Sequence, residues 1–264
     1  MSHMSTSYYA ENEVTLQPSD TRQLYGRHLT PLNPATLRLS ILIPVFNERN
    51  TIEPLLERVR STPTGKEIIC VDDCSTDGTR QHLIELEAAG YIDRLILQPV
   101  NGGKGRAIRA ALAASTGDVV IVQDADLEYD PEDWPALLEP IVSGRADACF
   151  GSRFLGGPHR VLYYWHSVGN KLLTQFSNML TNLNLTDMET CYKAIRGDLA
   201  RSLELTSDRF GFEPEITARL ARRDARIYEV PISYSGRTYS EGKKINWRDG
   251  VAAFWHILRY NLIR

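Results

Sequence analysis

Apolar residues run through this chain in two rhythms. Short unbroken runs, such as Leu39 to Val45 (LSILIPV), carry the mark of strands buried on both faces. Longer stretches space their apolar residues three or four apart, as a helix with one buried face requires. Lys66 to Val71, Asp93 to Gln98 and Asp118 to Gln123 predict further strands, and Asp147 to Gly151 another. Helical spacing appears over Thr51 to Arg60, Thr79 to Ala89, Arg106 to Ala114 and Trp134 to Ser143. Later, Val161 to Leu183 is long and amphipathic. Asp187 to Arg196 predicts a turn and strand, Glu213 to Arg222 a helix, and Arg226 to Tyr234 a strand. The tail from Trp247 to Ile263 repeats Val251, Phe254, Trp255, Leu258 and Leu262 at helical spacing.

Strand and helix alternate through the first half. That order predicts an α/β fold, a mostly parallel, doubly wound sheet with flanking helices. Such sheets bind ligands outside the carboxyl ends of their strands. Here those ends carry Asn47 and Glu48, then Asp72 and Asp73, then Lys104 just past the third strand, then Asp124 and Asp126. The fourth strand is the sharpest case. In VVIVQDADLEYDP, Val119 to Pro131, the apolar run gives way to Asp124, Asp126, Glu128 and Asp130, every second residue acidic. Four carboxylates at the mouth of a buried strand repel one another. They mark either a polar loop or the seat of something positive.

Composition narrows the partners. The 264 residues are 42% hydrophobic and 24% charged, with a net charge of -3. That suits one large domain or two small ones with an ample core. No global basic field recruits nucleic acid, so any anion binding is local. Cys70, Cys74, Cys149 and Cys191 are scattered without a second pair to complete a zinc site. They fit free thiols in a reducing, cytoplasmic compartment. No apolar run reaches the roughly 18 residues that span a bilayer. Residues 1–37 are polar and turn-rich, expected as a partly disordered extension whose first four residues resemble an expression remnant.

The glycines of Asn101-Gly-Gly-Lys-Gly105 do not make a dinucleotide fingerprint. That motif follows the first strand, where this chain has Pro44-Val-Phe-Asn-Glu48. A glycine turn instead allows close approach to a ligand, with Lys104 reaching toward it. Asp124-x-Asp126 offers oxygen ligands to a hard divalent cation, magnesium or manganese, which in turn leaves positions open for substrate phosphates.

Taken in order and spacing, five segments resemble the family 2 glycosyltransferases with the GT-A nucleotide-sugar fold: Pro44-Val-Phe-Asn-Glu48, Val71-Asp-Asp-Cys-Ser-Thr-Asp-Gly-Thr79, Asn101-Gly-Gly-Lys-Gly105, Asp124-Ala-Asp126 and Gly151-Ser-Arg153. Within that family the chain is most similar to the dolichyl- or polyprenyl-phosphate mannose and glucose synthases. The resemblance spans about residues 39 to 245. It implies a GT-A domain over 38–245; the tail at 246–264 reads as an amphipathic helix, either a membrane-interface element or a helix packed on the domain itself.

The resemblance also implies roles. Pro44, Phe46 and Glu48 line the nucleotide base and ribose, Asp73 contacts the base, and Val71 packs beside it. Asp124, Ala125, Asp126 and Glu128 form the nucleotide site, with the metal on Asp124, Asp126 and Glu128. Lys104, Arg237 and Lys243 meet the donor diphosphate. Arg153 faces the acceptor phosphate or the diphosphate. Asp187 begins a segment where the family continues with Gly-Phe and this chain has Cys191-Tyr192.

The implied reaction transfers a hexose from a nucleoside-diphosphate sugar, of GDP-mannose or UDP-glucose type, with inversion at the anomeric carbon. Asp126, Arg153, Asp187 and Lys104 are the expected catalytic groups. A polyprenyl or dolichyl phosphate acceptor, with a second pKa of about 6, needs a cation rather than a strong base. A hydroxyl acceptor needs a base, for which Asp187 is the expectation. Aromatic and basic residues around Val161 to Trp165 and in the tail suit a peripheral enzyme at the cytoplasmic membrane surface. Two alternatives stand beside this reading: transfer to a soluble or glycan hydroxyl, and a nucleotide-sugar-binding module without turnover.

Overall fold

Seven strands form one sheet in the order β3-β2-β1-β4-β6-β5-β7. The structure, a computed structural model, describes residues 29–161, 163–209, 211–241 and 247–263. The first half runs β1 (Leu39–Val45), α1 (Ile52–Ser61), β2 (Lys66–Asp72), α2 (Thr79–Ala88), β3 (Arg94–Leu97), α3 (Lys104–Ala114) and β4 (Val119–Val122). Strands β1 to β4 are mutually parallel, and Leu39, Ile41 and Ile43 of β1 and all of β4 are buried. This is the double-sided burial that the unbroken apolar runs predict.

The chain lays β2 and β3 on one side of β1, then crosses to place β4 on the other. The order therefore reverses between β1 and β4, the crevice where open α/β sheets bind ligands. Phe46, Asn47 and Glu48 leave β1 at this crevice, and the acidic stretch from Asp124 leaves β4.

The second half runs α4 (Trp134–Val142), β5 (Ala148–Ser152), α5 (Tyr164–Thr181), β6 (Lys193–Arg196), α6 (Gly197–Ser202), α7 (Phe212–Arg222), β7 (Ile227–Pro231) and α8 (Trp247–Leu262). Strand β6 is antiparallel to both neighbours, β4 and β5. This insertion is why the sheet is mostly rather than wholly parallel. Helix α5 is shorter than the apolar pattern because Asn182 turns left-handed, at φ 55°, and ends it.

The expected outer segments change status. Residues 1–28 lie outside the described residues, but Leu37 is buried in the core and Leu32 packs against it, donating its N–H to Val142 O at 2.9 Å. The tail helix α8 buries Ala253, Ile257 and Tyr260, and Phe254 stacks on Phe176 of α5 with ring centres 4.0 Å apart. It is thus packed on the domain. Its other face leaves Val251, Trp255 and Leu262 exposed, and Trp165, Leu172 and Met179 of α5 are exposed as well. No described helix is long and apolar enough to cross a membrane.

Candidate active site

Something positive does sit at the mouth of β4. Lys104 Nζ lies 2.9 Å from Asp124 Oδ1, and Arg237 Nη2 lies 3.0 Å from Asp126 Oδ2. Arg237 also meets Glu128 Oε1 at 3.3 Å and Glu48 at 3.5 Å. The Tyr234 hydroxyl donates to Glu128 Oε2 at 2.6 Å. Leu127 stands at φ 63°, a left-handed conformation that a branched side chain adopts at a cost of about 1 to 3 kcal/mol. This turn brings Glu128 back so that its N–H donates to Asp126 Oδ1 at 3.1 Å. Asp130 plays a different part. Its carboxylate accepts from Glu132 N and caps the short 3-10 turn Pro131–Asp133.

Crowding shows in the ionisation of Asp126. Burial pushes its carboxyl up to about 7, the charges of Asp124 and Glu128 push the same way, and Arg237 opposes them. Lys104 goes upward too. Burial alone would lower its ammonium, but Asp124 and Glu213 outweigh that.

The glycine loop explains how Lys104 gets there. Asp73 accepts from Gly102 N at 2.8 Å and from Gly103 N at 2.7 Å, one oxygen to each. Gly103 sits at φ 89°, which turns the chain into α3 with Lys104 as its first residue. A cation at a helix N-terminus opposes the helix dipole. Asp124 and Glu213, the latter also 2.9 Å from Nζ, compensate.

Three expected ligand contacts meet different surroundings. Asp73 is buried and committed to the glycine loop, so its carboxylate is an anchor rather than an open partner for a base. Val71 and Ala125 face the core, at 0% and 4% exposure, and present no side-chain surface to a ligand. Pro44 is half-buried and Phe46 is exposed at the end of β1. Lys243 lies outside the described residues.

On the far side of Tyr234 stands Arg153. Its guanidinium lies 5.2 Å from the Tyr234 ring centre, so one tyrosine separates it from Glu128. Asp187, fully buried, takes Arg153 Nε at 2.6 Å, Nη2 at 2.7 Å and its main-chain N at 3.1 Å, with Asn170 Nδ2 at 3.0 Å. Burial opposes the charge on Asp187, but Arg153 and these bonds hold the carboxyl below its ordinary value. A saturated carboxylate of depressed basicity is a poor general base. The structure therefore makes Asp187 the holder of Arg153, in place of the base role expected for it with a hydroxyl acceptor. Asn170, Glu213 and Tyr234 carry no signal in the sequence; each acts through a contact between distant parts of the chain.

The family model of "Glycosyl transferase family 2" matches residues 40–203. The chain belongs to glycosyl transferase family 2. Among curated relatives, the undecaprenyl-phosphate mannosyltransferase of Micrococcus luteus is 30% identical over 246 residues, covering 86% of this chain and 99% of the relative. The dolichol-phosphate mannosyltransferase of Pyrococcus furiosus is 28% identical, covering 78% of this chain; the match spans 59% of that relative's length. A solved structure of glucosyl-3-phosphoglycerate synthase from Mycobacterium tuberculosis, in complex with Mn2+, UDP and glucosyl-3-phosphoglycerate, aligns with a TM-score of 0.67 at 22% identity, covering 87% of this chain and 82% of that one.

The fold is thus the GT-A fold and the protein a glycosyltransferase. Its crevice combines carboxylates just after β4, a lysine on a glycine loop, an arginine after β7 and a clamped arginine after β5. The first three converge at the mouth of β4, and the fourth stands one ring away. The donor set of Asp124 and Asp126 is all carboxylate oxygen, which fits a hard divalent cation. Glu128 fits less directly, being held by Tyr234 and Arg237.

Proposed function

We propose that this family 2 enzyme transfers a hexose, with mannose the first to test, from a nucleoside-diphosphate sugar to a polyprenyl phosphate. The observation that carries the reading is Arg153. It is a partly buried guanidinium, fixed by Asp187 and Asn170, one ring from the acidic crevice. A phosphate monoester is already largely dianionic at neutral pH and requires orientation by a cation more than removal of a proton. The names of the two polyprenyl-lipid mannosyltransferases support the same acceptor class.

In this reading an acceptor phosphate oxygen, held by Arg153, attacks the anomeric carbon in line. The bond to the nucleoside diphosphate breaks with inversion. Lys104 and Arg237 stabilise the charge on the departing diphosphate electrostatically. Magnesium or manganese, bound by Asp124 and Asp126 with Glu128 beside them, would supply further charge neutralisation to the diphosphate. The nucleotide base and ribose lie near Phe46 and Glu48. The exposed stripe of Trp165, Leu172 and Met179 on α5, with Val251, Trp255 and Leu262 on α8 and basic Lys171 and Arg259 nearby, supports peripheral seating on a lipid surface.

One observation favours a second acceptor class. Glu189 keeps a buried oxygen, Oε1, without a hydrogen-bond partner among the described residues. Burial and the neighbouring Glu213 push its carboxyl up to about 8. That basicity suits a general base for a sugar or glycan hydroxyl.

Transfer assays separate the two. Labelled GDP-mannose, UDP-glucose and UDP-N-acetylglucosamine are offered with a short polyprenyl phosphate or a soluble hydroxyl acceptor, with Mn2+ and with chelator. The proposal expects chelator-sensitive transfer to the lipid from one donor, lost in Asp126→Ala. Transfer only to the hydroxyl acceptor would overturn the lipid reading.

A further inference from the structure

Arg237 is the only described residue whose side chain contacts Glu48, Asp126 and Glu128 together. Its main-chain N–H adds a bond to Glu128 Oε1 at 2.9 Å. Its side chain is 19% exposed. The surrounding segment is tied to the same acid: Tyr234 donates its hydroxyl to Glu128 Oε2, and Ser235 N donates to Glu128 O at 2.9 Å. Arg160 secures the far end, reaching Gly236 O at 3.3 Å and Glu241 Oε2 at 2.8 Å.

One side chain of the protein thus occupies Asp126 and Glu128, two of the three acids assigned above to the divalent cation, while the third, Asp124, holds Lys104. Among the described residues no three of His, Cys, Asp and Glu converge as a ligand set. Glu48, Asp126 and Glu128 converge on Arg237 instead. A magnesium or manganese ion would need carboxylate oxygens at roughly 2.0 to 2.2 Å. The guanidinium already claims Asp126 Oδ2 at 3.0 Å. A dication and a guanidinium sharing that oxygen would repel each other at close range, in a site with little water to screen them.

We propose that Arg237 is the resident cation of the ligand-free enzyme, and that a divalent cation takes Asp126 only in exchange for it, freeing Arg237 to follow the donor diphosphate. This rests on the metal-dependent reading above. It adds an order to binding. The cation alone competes with Arg237, whereas the cation together with a nucleoside diphosphate offers the displaced guanidinium a new anion. The diphosphate thereby replaces the carboxylates of Glu48, Asp126 and Glu128 as the partner of Arg237, and the nucleotide raises cation affinity through Arg237 itself.

Mn2+ titrations, read by the paramagnetic signal of the free ion, test the exchange in wild type and Arg237→Gln, with and without saturating GDP or UDP. Without nucleotide, Arg237→Gln is expected to bind Mn2+ at least 10-fold more tightly than wild type. With the nucleotide that binds, the advantage shrinks or reverses. Equal or weaker binding by the variant without nucleotide overturns the exchange while leaving metal-dependent transfer intact. No Mn2+ binding by either protein in any condition overturns both.

Hydrogen exchange on the wild type gives a second reading that needs no variant. The Arg237 amide, which donates to the Glu128 carboxylate, is expected to lose protection when Mn2+ is added alone to saturation. Unchanged or increased protection overturns the proposal.

Discussion

Asp187 accepts four hydrogen bonds, and three of them come from Arg153. The pair joins the end of β5 to the loop before β6, and the carboxylate has no exposed surface. Removing one partner of such a buried pair leaves the other charge uncompensated, at a cost of about 3 to 5 kcal/mol. Asp187→Asn is therefore expected to lower the melting temperature by roughly 10 °C in a domain of this size. Thermal denaturation of the two proteins checks it. Arg153→Lys is the gentler probe. Lysine keeps the charge but cannot make the two-pronged contact, so the KM for the acceptor should rise about 10-fold, a change of roughly 1.4 kcal/mol, while the donor KM holds.

Lys104 bridges Asp124 of the β4 mouth and Glu213 at the start of α7, at 2.9 Å to each. Lys104→Met strips two largely buried carboxylates of their shared cation. Loss of one preorganised charge at a leaving group lowers kcat by about 100-fold to 1,000-fold, and stability falls as well. The double variant Lys104→Met/Glu213→Gln removes one of the orphaned charges. It should recover part of the lost melting temperature and none of the activity, the non-additivity expected of groups in contact. A double-mutant cycle in melting temperature measures this. Additive losses would mean that Lys104 and Glu213 act independently.

Much of this site is legible in the sequence because the sheet does the gathering. Buried parallel strands write themselves as unbroken apolar runs, and whatever polar residues end those runs must lie along one edge. Glu48, Asp124, Asp126 and Lys104 stand out on that ground. Less legible is anything that depends on a contact across the chain. Arg237 stands 111 residues from Asp126, and its loop carries no periodicity. Glu213 looks like any acid in the first turn of a helix until Lys104 is seen against it. The antiparallel strand β6, only Lys193–Arg196, is too short for its alternation to show direction. Asp73 is the instructive case: an acid at a strand end points to a ligand, yet the structure turns it inward onto two backbone amides of the chain's own glycine loop.

That loop yields a contrast between adjacent glycines. A Cβ on Gly103 would lie 2.6 Å from the main-chain oxygen of Asp208, and the residue stands at φ 89°. Neither strain can relax without moving backbone, so Gly103→Ala is expected to cost about 1 to 3 kcal/mol and to displace Lys104 with a corresponding loss of transfer. On Gly102 the added Cβ meets the flexible Arg106 side chain, at ordinary φ. Gly102→Ala should change stability by less than about 1 kcal/mol, within the range of ordinary surface substitutions, and keep most activity. Denaturation and transfer assays on the two variants check the ranking. Equal damage from both would show that the Asp73 amide bonds, common to the two positions, govern the loop rather than the Gly103 conformation.

Glu189 offers a pH dependence whose sign is fixed. Its carboxyl is pushed from the ordinary 4.5 up to about 8, first by burial and then by Glu213, with Lys193 and Arg153 opposing. Between those two values the folded chain keeps a proton that the unfolded chain has released. Stability must then fall as pH rises through that window, because the unfolded state binds fewer protons. Below about pH 4.5 both states are protonated and the penalty vanishes. Glu189→Gln mimics the neutral acid at every pH. Its melting temperature should match wild type near pH 5 and exceed it by a growing margin up to about pH 8.5, where Glu189 is ionised against its surroundings. Lys193, whose ammonium burial pushes down, is present in both proteins and drops out of the comparison. Parallel melting curves against pH would place the proton elsewhere. In that case Glu189 would be an ordinary ionised carboxylate, its charge balanced by Lys193 and Arg153, and the case for it as a base near neutral pH would go with it.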